Sequence, residues 1–328
     1  MPTLRSALAA ACLVLAAPAT MAATLLSDYS QLVFFGDSLS DNGNVFALSG
    51  GQFPPPPYVN GRFSNGPVAA EVMADALGLA LTDYAFGGAK TGTDANGNDN
   101  FRWDLGLNGT GMPTQVGLFA ASLGGGSADA NALYGVWGGP NDYFEAGLTP
   151  PESVANLMSI ITNLYALGAR DFFVPNLPDL GLTAEFVDTP AQAQLTFISQ
   201  TFNTLLDAEL LTLGLSLPDA SIIGFDTFNF LREAVAKPAD FGFTNVTDAC
   251  LDNLACVLDP SVQQTYLFWD GVHPTAAAHD QLGLAFAQAV AVPEPASLAL
   301  FACAIGLLGL QCRTRFSRPR VCGGCLAG

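Results

Sequence analysis

The stretch Gln31–Asn44 reads QLVFFGDSLSDNGN. Four apolar residues, Leu32 to Phe35, run straight into Gly36-Asp37-Ser38 and then into small polar residues. A short apolar run closed by a turn signal reads as a strand buried on both faces. A serine just past such a strand has two ordinary uses. It caps the next helix, or it stands at the rim of a sheet as a nucleophile.

The rest of the chain repeats the pattern. Strand-like runs recur at Leu81–Phe86, Leu133–Trp137, Phe172–Val174 and Ser221–Phe225. Helical patterns lie between and after them, at Val68–Leu77, Pro113–Leu123, Pro151–Leu167, Ala191–Leu213, Thr227–Ala236 and Thr275–Val290. Five short buried strands separated by helices predict an α/β fold, a three-layer α/β/α sandwich around a five-stranded parallel sheet. Right-handed crossovers put the helices on both faces. Two long irregular loops interrupt this order, Ser49–Asn65 and Gly87–Gly111. Loops of that length in a compact domain are usually functional.

Ligands of open α/β sheets bind outside the carboxyl ends of the strands. Those ends carry Gly36-Asp37-Ser38, Gly87-Gly88-Ala89 and Gly138-Gly139-Pro140-Asn141-Asp142, and the late segment TYLFWDGVHPT adds Asp270 and His273. Ester hydrolysis needs a nucleophile, a base, a group that orients the base, and donors for the oxyanion. Ser38 is the candidate nucleophile, His273 the base and Asp270 its partner three residues upstream. The Ser38 and Gly88 N–H groups and the Asn141 amide are candidate oxyanion donors. The competing structural readings are a helix cap for Ser38 and turn chemistry for the glycines. Asp37 and Asp41 read as turn-orienting residues, Asp142 as a local hydrogen-bonding residue, and His279 as a surface or helix-packing residue. For Lys90 and Arg62, a fold-stabilising ion pair and a substrate contact both stand open.

Charge narrows the partners. Six of the eleven Lys and Arg, and all but one of the 29 Asp and Glu, lie between Thr24 and Val292, a formal charge of −22. Such a surface repels nucleic acid and anionic headgroups and suits neutral substrates. Met1–Ala23 has one positive charge at Arg5, an apolar run from Ala7 to Ala17 and small residues near Ala22 and Ala23. That is the form of a cleaved secretory signal, and the run is short for a membrane anchor. The domain proper is therefore 24–292. Cys250 and Cys256 are its only cysteines, and in an exported protein they read as one small disulfide. Beyond it, residues 293–328 hold a Pro-Glu-Pro breaker, an uncharged stretch Ala296–Cys312 and a basic stop at Arg313, Arg315, Arg318 and Arg320. Four arginines after an apolar run favour a membrane stop over a terminal core helix.

Four blocks taken together carry a family resemblance: GDSLSDNGN (Gly36–Asn44), DYAFGGAKTG (Asp83–Gly92), GPND (Gly139–Asp142) and DGVHPT (Asp270–Thr275). GRFSNGP (Gly61–Pro67) and VPNLPDLG (Val174–Gly181) extend it. The chain resembles the GDSL, or SGNH, hydrolases, in particular their lecithinase/haemolysin-like and plant-lipase-like branch. The resemblance covers about Gln31 to Ala289. It implies a flavodoxin-like sandwich and carboxylic ester hydrolysis without metal or cofactor. It also implies Ser38, His273 and Asp270 as triad and Ser38, Gly88 and Asn141 as oxyanion hole. One departure stands out. The second block usually opens Asn-Tyr-Ala, whereas here it opens Asp83-Tyr84-Ala85, which puts loop packing in question. The tail resembles the PEP-CTERM sorting signal, which implies export, exosortase processing and association with exopolysaccharide. Its departure is the extra VCGGCLAG after the arginines.

The leading expectation is thus an exported serine esterase or lipase, extracellular or cell-surface associated, acting on neutral acyl esters. Two alternatives remain, a polysaccharide O-acetyl esterase with the same triad, and a non-catalytic exopolysaccharide-binding matrix protein on a hydrolase fold.

Overall fold

The structure is a computed structural model that describes residues 28–144 and 147–291. The readings of 1–23 as a leader and 293–328 as a sorting tail fall outside those residues. Five strands form one parallel sheet: β1 Leu32–Gly36, β2 Leu81–Asp83, β3 Leu133–Trp137, β4 Asp171–Pro175 and β5 Ser221–Phe225, in the order β2-β1-β3-β4-β5. The expected α/β sandwich is therefore the fold. Its six main helices are α1 Ala69–Leu77, α2 Met112–Ser122, α3 Pro150–Leu167, α4 Gln192–Ser216, α5 Thr227–Ala236 and α6 Ala276–Ala291. Among the described residues, no helix is long and apolar enough to cross a membrane.

The period of two in β1 divides the core. Val33 and Phe35 face one layer, packing with residues of α2, α3 and α4 such as Phe119, Leu157 and Phe202. Leu32 and Phe34 face the other, against Met73 and Leu77 of α1 and Phe286 of α6. Burial on both faces is why the strand reads as continuous apolar sequence rather than alternation. Gly135 of β3 lies beside the Phe34 ring, where an added Cβ would come within 2.3 Å of it.

Two boundaries differ from the sequence reading by more than one residue. β2 ends at Asp83 rather than Phe86. The Asp83 carboxylate bends back to accept the Ala85 N–H at 2.9 Å, an Asx turn that closes the ladder. α4 runs through Gly214 to Ser216. A glycine in a helix interior costs only about 1 kcal/mol, so it need not be a stop. The sequence reading also omits a second, two-stranded parallel sheet, β6 Asn245–Ala249 with β7 Tyr266–Phe268.

α6 determines where the segment before it lies. It packs closely on α1, with Gly283 facing Val72, where a Cβ would meet the valine side chain at 2.5 Å. His279 of α6 is buried and its Nδ1 accepts the Ala69 N–H at 3.2 Å, capping a free donor at the start of α1. Its helix-packing role excludes a surface one.

Candidate active site

β1 delivers Ser38 to the rim through a tight turn. The Asp37 carbonyl accepts the Ser40 and Asp41 N–H groups at 3.0 and 2.9 Å, and Asp37 Oδ1 accepts the Leu39 N–H. Gln115 of α2 clamps the strand end from behind, accepting the Gly36 N–H at 3.0 Å and donating to the Gly36 carbonyl at 2.7 Å. Asp41 then joins two parts of the rim. Its carboxylate accepts N–H bonds from Gly43, Asn44 and Val45 of its own turn and from Gly87 of the next loop.

Gly88 follows with φ +79°, a left-handed conformation that favours glycine. A side chain there would also come within 2.5 Å of Asn100 Oδ1. Asn100 holds this bend, donating to the Gly87 carbonyl at 2.9 Å and accepting the Arg102 N–H at 2.7 Å. Asn141 sits on the 3-10 turn Pro140–Asp142 after β3. One amide N–H goes to the Ala89 carbonyl at 3.1 Å, which leaves the other for the cleft. Asp142 ties the same turn to Thr91, accepting its N–H and its hydroxyl at 3.0 and 2.7 Å. The Ser38 and Gly88 N–H groups donate to no protein acceptor among the described residues. Together with Asn141 they line one cleft.

His273 reaches this rim from the opposite side. After β7 the chain turns through Trp269-Asp270-Gly271-Val272, and the Trp269 N–H donates to the His273 carbonyl at 2.8 Å. The Gly61–Pro67 block supports the turn. Ser64 Oγ donates to the Pro274 carbonyl at 2.9 Å, and Asn65 Oδ1 accepts the Ala276 N–H at the start of α6. His273 Nε2 then lies 2.7 Å from Ser38 Oγ, and its Nδ1 lies 2.7 Å from Asp270 Oδ2. Asp270 Oδ1 accepts the Val272 and His273 N–H groups at 2.9 and 2.8 Å, which fixes the carboxylate. Residues 235 apart in sequence thus meet through one imidazole.

Electrostatics separate the carboxylates. Burial pushes Asp270 upward, but His273, the Tyr58 hydroxyl and the Val272 N–H outweigh it and hold the group at about 2. Burial opposes an imidazolium at His273, yet Asp270, with Asp37 and Glu185, draws its pKa above the usual histidine value. Burial dominates at Asp37, with only the Leu39 N–H and His273 against it, and raises it to about 7. Burial also raises Asp83 well above its usual range, with Asp41 and Glu71 adding to it. Both Asp83 oxygens accept backbone N–H groups, Oδ1 from Ala85 at 2.9 Å and Oδ2 from Asn42 at 3.0 Å, whereas an asparagine has one side-chain oxygen.

The cleft has a volume of about 290 Å³ and opens beside Ser38, Gly88, Asn141 and His273. Its walls are mostly apolar and include Phe53, Phe63, Phe230, Leu231, Phe241 and Phe243. The two open cations turn out to be ion pairs. Lys90 is fully buried against Asp94 at 2.7 Å, and Arg62 Nε donates to Glu71 at 2.7 Å. Cys250 and Cys256 are joined with an S–S distance of 2.05 Å and pack against Tyr266 and Trp269.

A hydroxyl, an imidazole and a carboxylate in series, beside three N–H donors, form a set able to run acyl transfer through a covalent intermediate. The chain belongs to the GDSL-like lipase/acylhydrolase family, whose pattern matches residues 32–286. It is 30% identical over 267 residues to a thermolabile hemolysin of Vibrio parahaemolyticus, covering 76% of this chain and 61% of that protein. It is 30% identical over 321 residues to the esterase EstA of Pseudomonas aeruginosa, covering 82% and 48%. A phosphatidylcholine-sterol acyltransferase of Aeromonas hydrophila is 26% identical over 304 residues, covering 77% and 88%. The chain thus spans about half to three-fifths of the length of the first two relatives.

Proposed function

We propose that this chain is an exported serine esterase that hydrolyses neutral carboxylic acyl esters. His273 Nε2 takes the Ser38 hydroxyl proton as Oγ attacks the acyl carbon. The carbonyl π electrons move onto oxygen, and the Ser38 N–H, Gly88 N–H and Asn141 amide hold that oxyanion. Collapse expels the alkoxide, which takes the proton from His273 and leaves as alcohol. Water then repeats the sequence on the acyl-serine and releases the acid. Asp270 holds the imidazole tautomer and favours the imidazolium throughout.

The observation that carries this reading is the 2.7 Å contact between His273 Nε2 and Ser38 Oγ, with Asp270 on the far nitrogen. The apolar cleft walls favour an acyl chain as the buried part of the substrate. Esterase and acyltransferase names among the relatives point the same way. Export rests on the leader pattern at 1–23 and on the disulfide, which suits an oxidising compartment. Exosortase processing of 293–328 and exopolysaccharide association rest on the tail sequence alone.

The test is covalent. A fluorophosphonate probe is expected to label Ser38 on folded protein, and Ser38→Ala is expected to lose on the order of 10⁴-fold or more in kcat on p-nitrophenyl octanoate. Unchanged turnover in that variant overturns the assignment, and a folded wild type that takes no label favours the binding-protein alternative. Running acetylated sugar beside the octanoyl ester on the same sample separates acetyl esterase from longer-chain hydrolase.

A further inference from the structure

We infer that Tyr58 is a positioning residue for the triad, an external donor that sets how strongly Asp270 holds and charges His273. The inference rests on the reading of Ser38, His273 and Asp270 as a catalytic series. Tyr58 ends the FPPPPY run of the long loop before α1. Its hydroxyl donates to Asp270 Oδ2 at 2.6 Å. That oxygen is also the nearer of the two to His273 Nδ1, at 2.7 Å against 2.9 Å for Oδ1, so the phenol donates to the oxygen that the imidazole approaches most closely. The ring is fixed by edge contacts with Phe63 and Trp269, at centroid distances of 6.3 and 6.5 Å. Trp269 in turn packs with the Cys250–Cys256 pair. Tyr58 thus stands between the disulfide corner and the carboxylate.

The same loop forms a wall of the cleft. Phe53 and Phe63 line it beside Tyr58, and the Phe63 ring lies 5.4 Å from the His273 ring. A phenol that donates to that oxygen of Asp270 draws negative charge away from the imidazole. Without it, Asp270 presents more charge to His273 and stabilises the imidazolium more strongly. The other charged and titratable groups around the imidazole are Asp37 from the β1 turn, Glu185 from the segment after β4 and His279 on α6. Glu185 is anchored there by its N–H, which donates to the Gly271 carbonyl at 2.7 Å. All three are unchanged by substitution at Tyr58.

The experiment is the pH dependence of kcat/KM on p-nitrophenyl octanoate, with full-length wild type and Tyr58→Phe compared by label and turnover. Phenylalanine keeps the ring contacts and removes only the donor. The expected result is a loss of roughly ten-fold in kcat, because Asp270 Oδ2 loses a bond that holds it in place against His273 Nδ1, with KM little changed. The acid limb of kcat/KM is expected to move to higher pH. Placing 3-fluorotyrosine at position 58 makes the phenol a stronger donor and is expected to move the limb the other way, which covers the case of an unstable Tyr58→Phe. Acid limbs that coincide in all three proteins overturn the inference, as does a uniform loss of rate at every pH, since packing alone would give that. A wild type with neither label nor turnover instead overturns the reading beneath it, so the two failures are distinct.

Discussion

Asp41 and Asp270 lie at the same rim of one sheet and hold it by different means. Asp41 is fully buried and accepts four backbone N–H bonds from the nucleophile turn and the Gly87 loop. With no cation among those donors, burial wins and lifts the carboxyl to about 6. Asp270 keeps a 16% exposed side chain, pairs with an imidazole and stays near 2. The nucleophile side is thus fastened by backbone dipoles, and the base side by a carboxylate–imidazole contact. Substitution should therefore separate rate from stability between the two.

The largest effect is expected at Asp270. Asn in its place can still accept the Val272 and His273 N–H groups but favours the wrong tautomer, so kcat should fall on the order of 10⁴-fold. Stability at neutral pH should fall by only about 2 kcal/mol, the linkage value of a carboxyl held near 2 against 3.8. A large drop in Tm with modest rate loss would place Asp270 in the scaffold instead.

Asp41→Ala should do the opposite in kind. It leaves four buried N–H groups short of an acceptor, a cost of about 3 kcal/mol or more. For a domain of this size that is near 10 °C in Tm. Melting within roughly 2 °C of wild type would show that the turn stands without its carboxylate.

A third effect sharpens the comparison through pH. Asp37 has one oxygen on the Leu39 N–H and the other buried without a partner, and its folded pKa is about 7 against 3.8. The folded state therefore binds the extra proton between those values. Its contribution is present at acid pH and lost as pH rises through that window, by at most ~4 kcal/mol. Asp37→Asn should flatten denaturant stability between pH 4 and 7 relative to wild type. A wild-type profile already flat there would mean that Asp37 ionises freely.

The sequence made the rim legible because each part is locally marked. An apolar run into Gly-Asp-Ser, a glycine pair, a GPND turn and an Asp-x-x-His each sit at a predicted strand end or helix start. The closest long-range partners were not marked. Tyr58 lies 212 residues from Asp270 and sits in a proline run with no periodicity to place it. Gln115 looks like any polar residue in a helix, although it clamps Gly36. Ser64 and Asn65 read as a helix entry for α1, yet they also fasten the chain around His273. The β6–β7 pair carries little signal, because β6 (NVTDA) mixes polar and apolar residues and β7 (YLF) is only three residues long. Lys90 and Arg62 stayed ambiguous because sequence does not tell which carboxylate a cation meets.

The sealed Lys90 has a practical corollary. The chain has only two lysines, and the other, Lys237, is 59% exposed on the described body. Side-chain amine chemistry on the folded domain therefore has one site, beyond the carboxyl end of α5. Coupling through it would tether the domain to a surface in a single orientation, without chemistry at the ammonium packed behind the Gly88 loop.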